Sequence, residues 1–222
     1  MSVRDDLLIR TAPLPRPNPG ESSPAWVLAP WLTALPVQGR DLLALLPVLD
    51  VNTLSFAALR ALPAGSEPQA IAALFCADPF LRVRDAVQIL RAAGIRRVTN
   101  FPTIQIIDGT AAHGFDSAGL GVQREADVLG ECVRAGFEVT GFCTSAEAGA
   151  LLARQGVTAL VLHPGPAATD WRMRAAAGHE AAGALRSLRH LTDLPVRLMW
   201  PDGYGPELDA ALALADGRVR YA

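Results

Sequence analysis

The sequence predicts an α/β fold of the TIM type, a (β/α)8 barrel with an irregular or incomplete first strand-helix unit. Three observations lead there. A helical segment that stops at glycine, a short β-rich run and a polar or proline-containing turn recur along the chain. That alternation implies parallel strands joined by helical crossovers. Seven strands can be placed and an eighth is available, and eight close a barrel. The competing doubly wound sheet lacks its dinucleotide fingerprint, since no G-x-G-x-x-G follows a first strand.

The elements follow in order. DLLIRTA (6–12) is the candidate for the eighth strand. Residues 13–24, rich in Pro, Ser and Gly, read as an irregular loop, and residues 1–24 as an N-terminal arm ahead of one domain over 25–222. AWVLAP (25–30) reads as a strand, with a helix over 53–62. AIAALFC (70–76) is a nearly continuous apolar run, as expected of a strand covered on both faces. VRDAVQILRAAG sets Val83, Ala86, Val87 and Leu90 on one helical face and stops at Gly94 before a strand at 97–100. READVLGECVRAGF does the same with Val128, Leu129, Cys132 and Val133, and leads into a strand at 137–142. TSAEAGALLARQG opens with a capping box of Thr144 and Glu147 and leads into a strand at 158–163. PVRLMW (195–200) is a strand, followed by a helix from Pro206 to Gly217 and a last strand over 218–222. FPTIQIIDGTAAHGFDSAGLG (101–121) is a long connection of the kind that serves as a lid.

Composition narrows the function classes. Half of the 222 residues are hydrophobic, 19% are charged and the formal net charge is −2, which is globular and offers no basic footprint for nucleic acid. All 20 basic residues are arginine, which excludes a lysine Schiff base and a P-loop lysine; no nucleotide or Lys-linked cofactor is expected. Cys76, Cys132 and Cys143 are scattered, so neither a zinc site nor a disulfide framework is indicated, and a cytoplasmic setting fits. There is no secretory signal and no run long enough to span a membrane. The expected partner is a small-molecule substrate, with neither nucleic acid nor membrane.

A barrel of this type places its chemistry where strands end. Trp31, Asp78, Asn100, Cys143, Thr144, His163, Trp200, Asp202 and Tyr204 lie there. His163, before a Gly/Pro turn, is the acid/base candidate, set against a satisfied core histidine. Asp78 is a metal or substrate ligand or else a helix cap, and Asn100 a catalytic group or a turn brace. Cys143 reads more as packing than as a nucleophile. Trp31 and Trp200 are core or pocket walls. Asp108, His113 and Asp116 sit in the long connection, and Glu125 and Asp127 open the next helix, where the dipole favours acids in any case.

The runs LLPVLDVNTL, LFCADPF, TNFPTIQIIDG and SAGLGVQREADVL, in that order from Gly39 to His163, resemble the phosphoenolpyruvate-hydrolase-like TIM-barrel family, related to phosphoenolpyruvate mutase and isocitrate lyase. The resemblance implies a TIM barrel acting on phosphoenolpyruvate-like or 2-oxo acids, commonly with Mg²⁺, making or breaking a C–C or C–P bond beside an enolate. By position it implies Asp50, Asp78, Asn100, Thr103, Asp108, Glu125 and His163 as site residues, with Asp50 and Asp78 toward the metal. The family's glycine-rich first strand and turn are missing. Its Asn-Ser-Gly-Arg motif is replaced by PWLT (30–33), and its His-Gly-Gly by Trp200-Pro201-Asp202-Gly203.

Two functions follow. One is a Mg²⁺-assisted lyase or hydrolase of a small oxo acid. The other is a repurposed metal-free cyclase, isomerase or hydrolase for a larger, less charged molecule, with His163 between walls of Trp31 and Trp200. A non-catalytic binding domain is the third reading. An incomplete barrel would seek a partner for its open edge, so a homo-oligomer is expected.

Overall fold

The computed structural model describes residues 6–12, 24–62 and 69–222. Eight parallel strands form a closed ring in sequence order: β1 Leu7–Arg10, β2 Trp26–Leu28, β3 Ala70–Ala73, β4 Arg97–Thr99, β5 Glu138–Cys143, β6 Ala159–Leu162, β7 Val196–Trp200 and β8 Gly217–Tyr221. The helices are α1 Arg40–Leu43, α2 Val51–Ala61, α3 Val83–Ala92, α4 Gly109–Ser117, α5 Val122–Arg134, α6 Ala146–Arg154, α7 Trp171–Leu191 and α8 Asp209–Leu212. The TIM-barrel expectation holds.

The ring closes through the segment expected as an arm. β1 pairs with β2 (Leu8 with Trp26) and with β8 (Leu7 with Val219). Asp6 fastens that seam, accepting from Arg218 Nη2 at 2.7 Å and Arg220 Nε at 2.9 Å. The barrel therefore begins before residue 25 and its ring is complete; the rest of the expected arm, 1–5 and 13–23, lies outside the described residues. With no strand edge open, the edge argument for oligomerisation lapses.

Alternation divides the core in two. Leu7, Ile9, Val27, Ile71, Phe142, Val161, Met199 and Val219 fill the barrel interior. The opposite faces, such as Ala72, Val98, Val139, Leu160 and Leu198, pack outward against Leu59, Leu90, Leu129, Leu152 and Leu185 of the helices. β2, β3 and β6 are buried on both sides, which is why they read as apolar runs, whereas β1 and β8 alternate buried residues with half-buried or exposed ones.

Several local expectations are corrected. α6 is capped by Ser145, whose oxygen accepts from Ala148 N at 3.1 Å; Thr144 turns instead to the Gln105 carbonyl. Gly217 starts β8 rather than ending a helix. The long connection is largely ordered as a short 3-10 turn, Ile104–Ile106, and α4. α7, of 21 residues and capped by Asp170, had no counterpart in the sequence reading. Its alanine-rich face gives a weak apolar period, while Gly178 sits where a Cβ would meet the Glu207 carbonyl at 2.1 Å. No helix among the described residues is long and apolar enough to cross a membrane.

Candidate active site at the barrel mouth

The C-terminal mouth is floored by aromatic rings. Phe101, just beyond β4, packs against Trp31 at 5.6 Å, Phe142 at 5.1 Å and Tyr221 at 6.3 Å between centroids. Above this layer runs the β2–α2 segment. It opens with a 3-10 turn, Pro30–Ala34, that buries Trp31 and Leu32, and α1 then buries Asp41.

Ring closure brings three distant residues together here. The Tyr221 hydroxyl, at the end of β8, donates to Asp41 Oδ1, across 180 residues of sequence. His163, directly after β6, presents Nε2 at 3.9 Å from the same oxygen, outside hydrogen-bond reach but within charge attraction. Its Nδ1 accepts from Gly165 N–H at 3.0 Å. In the neutral ring the proton therefore sits on Nε2, a buried donor with no hydrogen-bond partner. Burial works to raise the Asp41 carboxyl, but His163, Tyr221 and Arg40 outweigh it and hold the group below its usual value. Burial and the Asp41 charge push the Tyr221 phenol well above its ordinary value, so it stays a donor. Arg40 lies 3.4 Å over the Tyr221 ring and pairs with Asp202 beyond β7.

A second buried carboxyl lies on the β4–β5 side. Glu125 of α5 is 0% exposed and accepts from Ile104 N (2.9 Å), Thr103 Oγ1 (2.8 Å), Gln105 Nε2 (2.8 Å) and Asn100 Nδ2 (3.0 Å). Burial raises its pKa to about 7 even against these four donors. Asn100 also donates to Phe142 O at 2.9 Å and accepts from Phe142 N at 2.7 Å. Its amide is fully used in clamping β4 to β5 and α5. Asn52 repeats the device in α2, bonding both backbone groups of Phe75 at 3.0 Å.

The other candidates scatter. Asp50 caps α2, accepting from Thr53 N and Oγ1 at 2.8 Å. Asp78 braces its own turn through Phe80 N and accepts from Asn52 Nδ2, both at 2.8 Å. Both border a groove of about 310 Å3 between α2 and α3 that His163 does not line. Among the described residues no three His, Cys, Asp or Glu side chains gather as a ligand set. Asp50 and Asp78, engaged in these local bonds, form no three-ligand cluster, although Mg²⁺ is commonly held by one or two carboxylates together with waters and substrate oxygens. Cys143 is sealed, its thiol pushed up to about 12 by burial and the Glu125 charge. Trp200 packs on the outer, helical side of the barrel and donates to Tyr204 O at 3.3 Å, away from the Trp31 layer. Asp108 is exposed at the start of α4.

A cavity of about 510 Å3 lies among α4, α5 and α6, lined by Gln105, Phe115, Thr144 and Arg154 among others. His163 does not line it. Sequence reading passed over Arg10, Arg40, Asp41 and Tyr221; the position of Arg10 and Tyr221 at strand ends was the signal available for two of them.

Comparison with known proteins agrees with this architecture. The family model described as phosphoenolpyruvate hydrolase-like matches residues 36–193. An uncharacterized protein, y4oT, of Sinorhizobium fredii is 38% identical over 97 residues, 44% of this chain and 49% of that protein. The ToMV resistance protein Tm-1(GCR237) of Solanum lycopersicum is 30% identical over 129 residues, 57% of this chain and 17% of that protein. The chain thus spans about half or less of the curated relatives it matches. Among solved structures, the HMG-CoA lyase of Brucella melitensis superposes with a TM-score of 0.51 at 14% identity, covering 76% of this chain and 60% of that one. At that identity the likeness is one of fold.

Proposed function

We propose, since the chain belongs to the phosphoenolpyruvate hydrolase-like family, that it is a lyase-type enzyme acting on a small oxo acid or phosphoenolpyruvate-like anion at the barrel mouth. One observation carries the reading. His163 holds a buried, unpartnered Nε2–H beside an ionised Asp41 at the strand ends, where barrels of this type do their chemistry.

A donor fixed in that position stabilises an oxyanion as it forms. When a C–C or C–P bond of such a substrate breaks, its electron pair passes into an enolate; in the first case the other fragment leaves as a carbonyl compound after its hydroxyl gives a proton to water, and in the second the phosphoryl group passes to water as phosphate. The Nε2–H of His163 holds the enolate oxygen, and Asp41 steadies any positive charge the ring acquires. Gly165 fixes the tautomer that makes His163 a donor rather than a base. His163 is 1% exposed, so substrate reaches its Nε2 only when the side chains covering it shift. Asn100 and Thr103 support this site through Glu125 without touching substrate. The roles given to His163 and Asp41 route no step through Mg²⁺.

The reading of Trp31, His163 and Trp200 as walls of one apolar pocket is less favoured, because Trp200 packs on the opposite side of the strand layer. A soluble cytoplasmic protein and a homo-oligomer both fit the reading. Light scattering decides the second.

The test is deuterium uptake at C3 of pyruvate and related 2-oxo acids in D2O, followed by proton NMR. The wild-type chain is expected to catalyse exchange with at least one of them. His163→Gln is expected to slow it by about a hundredfold or more. Exchange at the wild-type rate in His163→Gln sinks the proposal.

A further inference from the structure

We infer that the mouth contains an oxyanion-binding subsite built from Arg10 and Arg40, taking a carboxylate or phosphate group of the ligand. The inference rests on the mouth being the reactive centre, and it assigns the side of the mouth on which the ligand's charge sits.

A hollow of about 110 Å3 opens between the C-terminal ends of β1 and β8, lined by Arg10, Leu32, Arg40 and Tyr221 among others. A water occupies about 30 Å3 in the liquid, so the hollow has room for a group the size of a carboxylate or phosphate. Both arginines keep a buried Nε with no hydrogen-bond partner. A buried donor left unpaired costs about 1–3 kcal/mol, a cost that an acceptor in the hollow removes.

The two arginines are prepared differently. Arg40 is locked, its terminal nitrogen on Asp202 and its plane on Tyr221, so its remaining edge is fixed in direction. Arg10 forms no ion pair and no side-chain hydrogen bond among the described residues. The two acids nearby are already engaged, Asp202 by Arg40 and Asp41 by Tyr221 with His163 beside it. Of the two arginines lining the hollow, Arg10 is the one without a counterion among the described residues.

The chemistry of the unpartnered atoms points the same way. Four are nitrogens that donate, Arg10 Nε, Trp31 Nε1, Arg40 Nε and His163 Nε2, and the other two, Ser55 Oγ and Thr99 Oγ1, are hydroxyls that do not line the hollow. No carboxylate oxygen is left unpaired among the described buried groups. A hollow whose lining keeps two spare guanidinium donors selects an acceptor-rich ligand, and guanidinium forks match planar or tetrahedral oxyanions.

Isothermal calorimetry of the full chain with oxalate, and separately with inorganic phosphate, tests the subsite. Binding of at least one is expected at millimolar concentration or below, weakened about tenfold or more in both Arg10→Gln and Arg40→Gln. Oxalate alone identifies a carboxylate group, phosphate alone a phosphoryl group, and both a general oxyanion site. Wild-type-like binding in both arginine variants overturns the inference, as does no binding to the wild-type chain at tens of millimolar.

A second measurement needs no variant. Phenylglyoxal labelling mapped by mass spectrometry should show Arg10 protected by the bound anion, and labelling indifferent to the anion also overturns the subsite. Binding is read without turnover. Unchanged deuterium exchange in His163→Gln would therefore remove the proposed chemistry and leave the anion site standing. Normal binding in the arginine variants would remove the anion site and leave the chemistry standing.

Discussion

On the β4–β5 side of the mouth, both polar atoms of Asn100 and both oxygens of Glu125 are hydrogen-bonded, whereas across the mouth Arg10, Trp31, Arg40 and His163 each keep a buried nitrogen without a partner. Both sides carry a buried carboxyl, Asp41 on one and Glu125 on the other. Their difference is in satisfaction. Buried polar groups are almost always paired, so a network closed on itself is architecture, and a set of spare donors marks a place where something else binds. The carboxyls report the same contrast. Asp41, beside His163 and Arg40, is held below its usual value, while burial lifts Glu125 to about 7.

The largest effect that would sharpen the contrast is loss of the Asn100 clamp. Asn100→Ala removes both bonds to the Phe142 backbone and one to Glu125, leaving buried groups unpaired. A loss of about 3–5 kcal/mol is expected, read by urea denaturation. A loss below about 1 kcal/mol would break the reading of this side as architecture.

Glu125 gives the next effect, and it depends on pH. Its folded-state pKa of about 7 lies above the ordinary 4.5, so the folded protein holds the proton more tightly than the unfolded chain. That contribution is fully present below about pH 4.5, is lost as pH rises toward 7, and levels off above it, amounting to about 3 kcal/mol. In Glu125→Gln this fall between pH 4.5 and 7 should disappear from the denaturation midpoints. Parallel pH profiles for variant and wild type would refute it. Asp41 has the opposite sign: its stabilisation is present above its ordinary pKa and lost as pH falls through its depressed one.

The smallest effect belongs to the open side. His163→Gln severs one accepted bond from Gly165 and no bond at Nε2, so stability should change by about 1 kcal/mol or less. The same variant is expected to lose exchange activity. Destabilisation as large as that of Asn100→Ala would erase the distinction between the two sides.

The strands were legible because residues buried on both faces, such as Ala70–Ala73 and Ala159–Leu162, must be apolar throughout. Glycines after α3, α5 and α6 were legible as stops because Gly94, Gly136 and Gly156 adopt the left-handed conformation. The site was legible in part. His163 stood out at a strand end, and Asn100 drew notice for a position that serves a clamp. Asp50 and Asp78 carried a metal expectation that their local bonds to Thr53, Phe80 and Asn52 redirect.

By itself, then, the sequence determined the order of strands and helices, the absence of lysine chemistry and the membership of a barrel family. These depend on local periodicity and residue type. Only the tertiary structure decided that Tyr221 meets Asp41, that Arg10 and Arg40 share a hollow, and that Asn100 faces Glu125 rather than substrate. Those contacts join residues far apart in the chain, and closure of an eight-stranded ring fixes them through register and strand direction, which no local pattern encodes.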